Sequence, residues 1–285
     1  ATDSEGASST GTLTIGIEDD APEQQEAQSF SSTLVDTNLT IVLDVSGSMA
    51  SASGIGTQTR LESAIESIKT LISAYDDFGD VRINLVSFST TATSYAAWMT
   101  ASEAVTVLEG LSAGGVTNYD AALAEAMENY AEDGALESAQ NISYFFSDGT
   151  PYGADGNSNE LDNSLDYDSV QYFSGGQLIP VRDSSDTGIS NTEEGIWTDF
   201  LVDNGIKSYA IGMGAGVSED NLNPIAYDGS ADEDIDAAIV TSFSDLDDSL
   251  AATVQSPVSG QLVSGSSVDG SLLGADGGYL QSVTV

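Results

Sequence analysis

Five consecutive residues of strong β preference, Leu39 to Leu43, run without a break into Asp44-Val-Ser46-Gly-Ser48. A short, continuously apolar run of this kind suits a strand buried on both faces of a parallel sheet, and such a sheet needs crossover helices on both sides. The polar cluster then falls at the carboxyl end of the strand, where open α/β sheets hold their ligands. Asp-x-Ser-x-Ser offers one carboxylate and two hydroxyls from a single turn. Hard oxygens of this sort suit Mg²⁺, Ca²⁺ or Mn²⁺ rather than Zn²⁺ or Cu²⁺. One turn cannot complete the shell of such an ion, so other segments must add oxygens.

Two segments are placed to do so. Gly114-Gly115-Val116-Thr117-Asn118-Tyr119-Asp120 is a glycine-led loop that ends in a hydroxyl just before a helix. Asn141–Phe146 is a second apolar strand, running into Ser147-Asp148-Gly149. These three segments, in this order, resemble the von Willebrand factor type A domain with its metal-ion-dependent adhesion site. The resemblance covers about residues 37–253 and implies a doubly wound, mostly parallel α/β sheet. It implies that Asp44, Ser46, Ser48, Thr117 and Asp148 hold one Mg²⁺ or Ca²⁺. A protein or other surface ligand bearing a Glu or Asp carboxylate would then complete the shell. Tyr119 and Tyr152 are the candidate ligand rim.

The composition is consistent with that chemistry and excludes others. Asp and Glu number 46 against 5 Lys and Arg, a net charge of −41, so nucleic acid and anionic membranes are poor partners. With neither Cys nor His, the chain has no disulfide, no thiolate metal site and no Ser-His-Asp triad. No window approaches the length that spans a bilayer, and no basic-then-apolar leader precedes residue 20. An export signal would lie elsewhere in a longer protein. A metal-dependent hydrolase is the competing class, because Asp44 also sits where some phosphatases place a nucleophile. That pattern wants a second acid two residues on, where Ser46 stands, and Arg60 and Lys69 both fall in the first helix rather than in a phosphate-gripping cluster. The expectation is a binding module and not an enzyme; a Ca²⁺-stiffened spacer without a ligand is the structural alternative.

Along the chain, the periodicity predicts a helix over 60–75 with Leu61, Ile65, Ile68 and Ile72 on one stripe, and a strand over 81–88. A second short strand is expected at 94–99, and helices at 102–108 and 119–130, the latter with Leu123, Met127 and Tyr130 inward. Asn191 is the expected N-cap of a helix that buries Ile196, Trp197, Phe200 and Leu201 and stops at Gly205. A strand at 206–213, a last strand at 236–243 and a closing helix over 244–252, capped by Ser244, complete the alternation.

Residues 149–190 lack convincing periodicity and form a long insertion that leaves from the metal-bearing edge. Within it, Asp155, Asn157, Asn159 and Asp166 half-match a Ca²⁺ loop, with Glu160 where that loop wants Gly. The two ends differ in character. Residues 1–36 hold an alternating strand and the acidic phrase Glu18-Asp19-Asp20, candidate ligands for a junction Ca²⁺. Residues 254–285 are rich in Gly, Ser and Val and end in another alternating strand. Both flanks resemble repeats of large bacterial RTX-type adhesins, and they could pair as one split β-domain. The resulting expectation is a monomeric, Ca²⁺-dependent adhesion module on the bacterial surface, in contact with neighbouring adhesin repeats and taking part in biofilm attachment.

Overall fold

The computed structural model describes residues 35–151, 172–174, 177–179, 189 and 191–254. Both terminal flanks, with Glu18, Asp19 and Asp20, lie outside the described residues, as do Tyr152, Asp155, Asn157, Asn159 and Asp166.

The chain alternates strand and helix around one sheet. Strands β1 (Thr37–Asp44), β2 (Val81–Phe88) and β3 (Ala92–Ser94) are interleaved with helices α1 (Arg60–Asp76) and α2 (Ala101–Leu108). Helix α3 (Tyr119–Tyr130) precedes β4 (Gln140–Ser147), and the long insertion carries a small hairpin, β5 (Tyr172–Ser174) with β6 (Gln177–Ile179). Then come α4 (Asn191–Asn204), β7 (Ile206–Met213), α5 (Glu219–Leu222), β8 (Tyr227–Asp228), β9 (Glu233–Asp234), β10 (Ala238–Val240) and α6 (Leu246–Ala251).

The main sheet runs β3-β2-β1-β4-β7-β8-β9, with β10 also paired to β7. The central strands β2, β1, β4 and β7 are parallel, whereas β3, β8 and β9 are antiparallel additions at the edges. From β1 the chain moves outward to β2 and later returns to the other side of β1 as β4. The reversal of strand order therefore falls between β1 and β4, and that is where an open α/β sheet has its crevice.

Both faces of the sheet are covered, so the inner strands are apolar throughout. Leu39, Ile41 and Leu43 point to the side of α1, α2 and α6, against Ile65, Ile68, Leu108 and Leu250. Val42, Val86 and Phe145 face α3 and α4, against Leu123, Ala126, Trp197 and Leu201. Trp197 donates its indole N–H to the carbonyl of Ile225, which satisfies the polar edge of a ring that is 1% exposed. At the end of the described chain, Tyr144 links Tyr75 and Thr253 through their hydroxyls at 2.9 and 2.6 Å.

Helix starts follow side-chain chemistry. Thr59 and Glu62 form a reciprocal capping box at α1, and Thr100 and Glu103 form another at α2. Several expected boundaries move. The strand beside β2 is Ala92–Ser94 rather than 94–99, because the chain turns at Trp98 (φ +54°) and leaves Met99 only an isolated bridge to Ile83. Helix α4 already includes Asn191, so that residue is its first and not its cap. The last strand is three residues long, and Phe243–Asp245 forms a 3-10 turn ahead of α6; Ser244 lies inside that turn and bonds Asp245 instead of capping a helix.

One polar row crosses the apolar interior. Asn84, Thr40, Ser143 and Ser208 occupy matching register positions on β2, β1, β4 and β7. Asn84 bonds Asn129 of α3. The hydroxyls of Thr40, Ser143 and Ser208 are buried and have no hydrogen-bond partner among the described residues. A buried, unsatisfied hydroxyl is destabilising. Thr40→Val keeps the shape and removes the group, so it is expected to stabilise the fold by about 1 kcal/mol. The measurement is urea unfolding, in which a higher midpoint at unchanged slope is the expected result.

Candidate metal centre

The two acids that the sequence singles out end adjacent strands at the crevice. Asp44 is the last residue of β1, and Asp148 follows the last residue of β4. Both are almost fully buried, at 0% and 1% exposure. Asp44 is held from two sides: its Oδ1 accepts from the Ser46 backbone N–H at 2.7 Å, and its Oδ2 from the Ser147 hydroxyl at 2.6 Å. A single 3-10 turn, Gly47–Ala50, then brings Ser48 back over the strand end. Its Oγ lies 3.0 Å from Ser46 Oγ and donates to Asp148 Oδ1 at 2.6 Å. The structure thus gathers Asp44, Ser46, Ser48 and Asp148 into one linked cluster, with half-buried Ser48 on its solvent side.

Thr117 arrives from the loop before α3. That loop is fastened to the Asp-x-Ser-x-Ser turn by backbone bonds from Gly47 N to Gly115 O (3.0 Å) and from Gly114 N to Val45 O (2.7 Å). Gly115 has φ +86°, and a Cβ on it would lie 2.8 Å from Thr90 Oγ1, so only glycine allows the approach. Thr117 is buried, and its Oγ1 would lie 3.4 Å from a Cβ placed on Gly149, where Ser48 Oγ would be 3.6 Å away. The two hydroxyls therefore flank the same small residue. Asn118 next to Thr117 caps α3 by accepting from Ala121 N–H.

Tyr119 is not a rim residue. It is 1% exposed, packs edge-on against Phe88 and Phe145, and donates its hydroxyl to the Gly149 carbonyl at 2.9 Å. Its ring fills the space beneath the Asp148–Gly149 turn on the α3 side, which explains why an aromatic is buried here.

Three supports of the site carry no metal-ligand signature in the sequence. Ser147 orients Asp44, and Gly216 lets its loop approach so closely that a Cβ there would lie 2.6 Å from the Asp148 carbonyl. The third is Arg60, whose Nη1 donates to Asp148 Oδ2 at 2.6 Å. The sequence does hold a signal for it. The capping box at Thr59 makes Arg60 the first residue of α1, where a cation is disfavoured by the helix dipole unless an acid compensates it.

Electrostatically, the cluster is a buried anionic pair. Burial, with the charge of Asp148 adding to it, pushes the Asp44 carboxyl up from 3.8 to about 6, against the opposing bonds from Ser147 and Ser46. Among the described residues no three acids converge on one point, so an ion held here would need the hydroxyls as well as the carboxylates. Two carboxylates and three hydroxyls are an all-oxygen donor set that suits Mg²⁺ or Ca²⁺, and a buried pair of acids is an environment that a cation relieves.

The comparisons agree with this architecture. The model of the von Willebrand factor type A domain matches residues 38–252. Among solved structures, the PilB minor pilin from Streptococcus sanguinis is 18% identical at a TM-score of 0.52, with 79% of this chain and 61% of that one covered. The pilus adhesin SpaC from Lactobacillus rhamnosus GG is 15% identical at a TM-score of 0.51, with 76% and 30% covered. This chain thus spans about three fifths of the pilin and under a third of the adhesin. No curated protein matches it. With the family model covering three quarters of the length and the three site segments meeting at the β1/β4 crevice, the chain belongs to the von Willebrand factor type A domain family.

Proposed function

We propose that this chain is a divalent-cation-dependent adhesion module of a large secreted bacterial adhesin of the RTX type. The observation that carries the reading is the cluster of Asp44, Ser46, Ser48 and Asp148, buried at the β1/β4 crevice and reaching solvent through Ser48. Asp44, Ser46, Ser48, Thr117 and Asp148 would hold Mg²⁺ or Ca²⁺, and the bound ion would offer a coordination position to a carboxylate oxygen of a partner. The chain's own residues fix the donors: Ser147 and the Ser46 N–H orient Asp44, while Ser48 and Arg60 orient Asp148. On a chain of net charge −41, an acidic partner is repelled at long range, so attraction must come from the ion at short range. The fold is one that a minor pilin and a pilus adhesin also use. Among the described residues no helix is long and apolar enough to cross a membrane.

A binding role is favoured over hydrolysis because both acids of the described site are held by donors, Asp44 by a backbone N–H and a hydroxyl and Asp148 by a hydroxyl and a guanidinium. The test is surface plasmon resonance with peptides carrying a single Asp or Glu and their Asn or Gln counterparts. Binding of the acidic peptides in Mg²⁺ or Ca²⁺, lost in EDTA and absent for the amides, is the expected result. Binding that ignores both the chelator and the carboxylate would overturn the reading.

A further inference from the structure

Arg60 is one of only five basic residues in the chain, and it is spent on an acid of the metal centre. The contact is not incidental. The Asp148 side chain is 0% exposed and that of Arg60 27%, so the guanidinium reaches inward from a partly solvated position. Its backbone is fixed by the capping box at Thr59 and by a bond from Arg60 N–H to the Ser51 carbonyl at 2.8 Å. Both oxygens of Asp148 are thereby engaged, Oδ1 by Ser48 and Oδ2 by Arg60. An ion that needs this carboxylate meets a donor on each oxygen. One is a neutral hydroxyl, which can turn and offer a lone pair. The other is a permanent cation, which can only repel it.

We propose that Arg60 is the tethered counter-cation of the metal-free site: it neutralises Asp148 and gives up that contact when a divalent ion binds, and so sets the site's affinity without being a ligand. This rests on the metal-holding part of the function proposed above, not on the identity of any partner. The exchange has a charge logic. A monovalent ion replacing the guanidinium adds no charge, whereas a divalent ion adds one to an anionic pair, so the competition favours divalents. It also keeps a buried carboxylate paired when no metal is present, a state that otherwise costs stability.

The test is calorimetric titration of the stripped protein with Ca²⁺ and with Mg²⁺, comparing the parent with Arg60→Gln. Arg82→Gln serves as control, since it removes the same charge from β2, where Arg82 bonds the Val81 carbonyl. Arg60→Gln is expected to bind the ion tighter by on the order of tenfold, the worth of one competing charge-assisted bond. Its metal-free form should melt below the parent, and Arg82→Gln should change neither. Unchanged or weaker affinity in Arg60→Gln overturns the proposal. If Asp44→Ala meanwhile loses the site, the metal reading survives that failure; if Asp44→Ala also titrates like the parent, both fall. Should Arg60→Gln fail to fold, the parent decides through its arginine side-chain N–H resonances. The Arg60 signal should be shifted and slowly exchanging without metal and should move to the averaged position on saturation, and a signal that ignores the ion overturns the proposal.

Discussion

Mg²⁺ or Ca²⁺ added to the metal-stripped protein is expected to raise its melting temperature by roughly 5–11 °C, and Asp148→Ala is expected to cancel that gain. The size follows from linkage. An ion present at a hundred times its dissociation constant adds about 2.7 kcal/mol to a native state that alone binds it. A domain of this size gains roughly 2–4 °C per kcal/mol. Asp148 is the informative position because its removal does not strand a buried charge. Arg60, its partner, has 27% of its side chain exposed and can return to water, and Ser48 keeps its bond to Ser46. The metal-free variant should therefore stay folded, and a lost thermal response can be read as a lost ligand. Differential scanning calorimetry with and without EDTA makes the comparison. A parent that melts at the same temperature in both would remove the metal from the account of this site.

Much of this site is legible in the amino-acid order alone, for a physical reason. β1, β4 and β7 are buried on both faces, and a run such as Leu39–Leu43 has few other places to go. The acids at the ends of β1 and β4 are then carried to one edge by parallel register, Leu43 against Phe146 and Asp44 against Phe88. Helix starts are legible where side chains cap backbone, as at Thr59 and Thr100.

What the sequence conceals is set by tertiary contact. Tyr119 reads as a rim aromatic because it follows a loop hydroxyl; its burial depends on Phe88 and Phe145, which come from two other elements. At Arg60 the sequence shows a cation at a helix start but not the acid that compensates it, which lies 88 positions away. β8, β9 and β10 are only two or three residues long, so no alternating pattern marks them. The β5–β6 hairpin has the same cause: two three-residue strands lie below the length at which a period of two can be read.

Protons and metal should compete for Asp44, and Asp44→Asn should separate the two. The carboxyl titrates at about 6 in the fold against 3.8 when unperturbed, chiefly because burial penalises its charge. A raised carboxyl means that the native state holds this proton more tightly than the unfolded chain does. The stability it contributes is full below pH 3.8 and is lost as pH rises to about 6. At about 1.4 kcal/mol per pH unit, that interval is worth about 3 kcal/mol to the metal-free protein. Asn is neutral at every pH and fits the same bonds: its carbonyl can accept from Ser46 N–H, and Ser147, whose Oγ already lies 3.2 Å from the Gly149 carbonyl, can turn its proton there. Asp44→Asn without metal should thus be the more stable protein at pH 7, by up to about 3 kcal/mol, and should equal the parent near pH 4. The other acids titrate in both chains, so the difference between the two curves isolates Asp44. With Ca²⁺ or Mg²⁺ the order should reverse, since the ion selects the carboxylate that the fold alone disfavours. Affinity in the parent should accordingly rise with pH up to about 6 and then level, because above that value no proton remains to be displaced from Asp44. Urea unfolding of both proteins at pH 4 to 8, with ion and with EDTA, measures every arm. If the two metal-free curves stay parallel across that range, Asp44 is already ionised in the fold and the anionic pair is stabilised by something other than the ion.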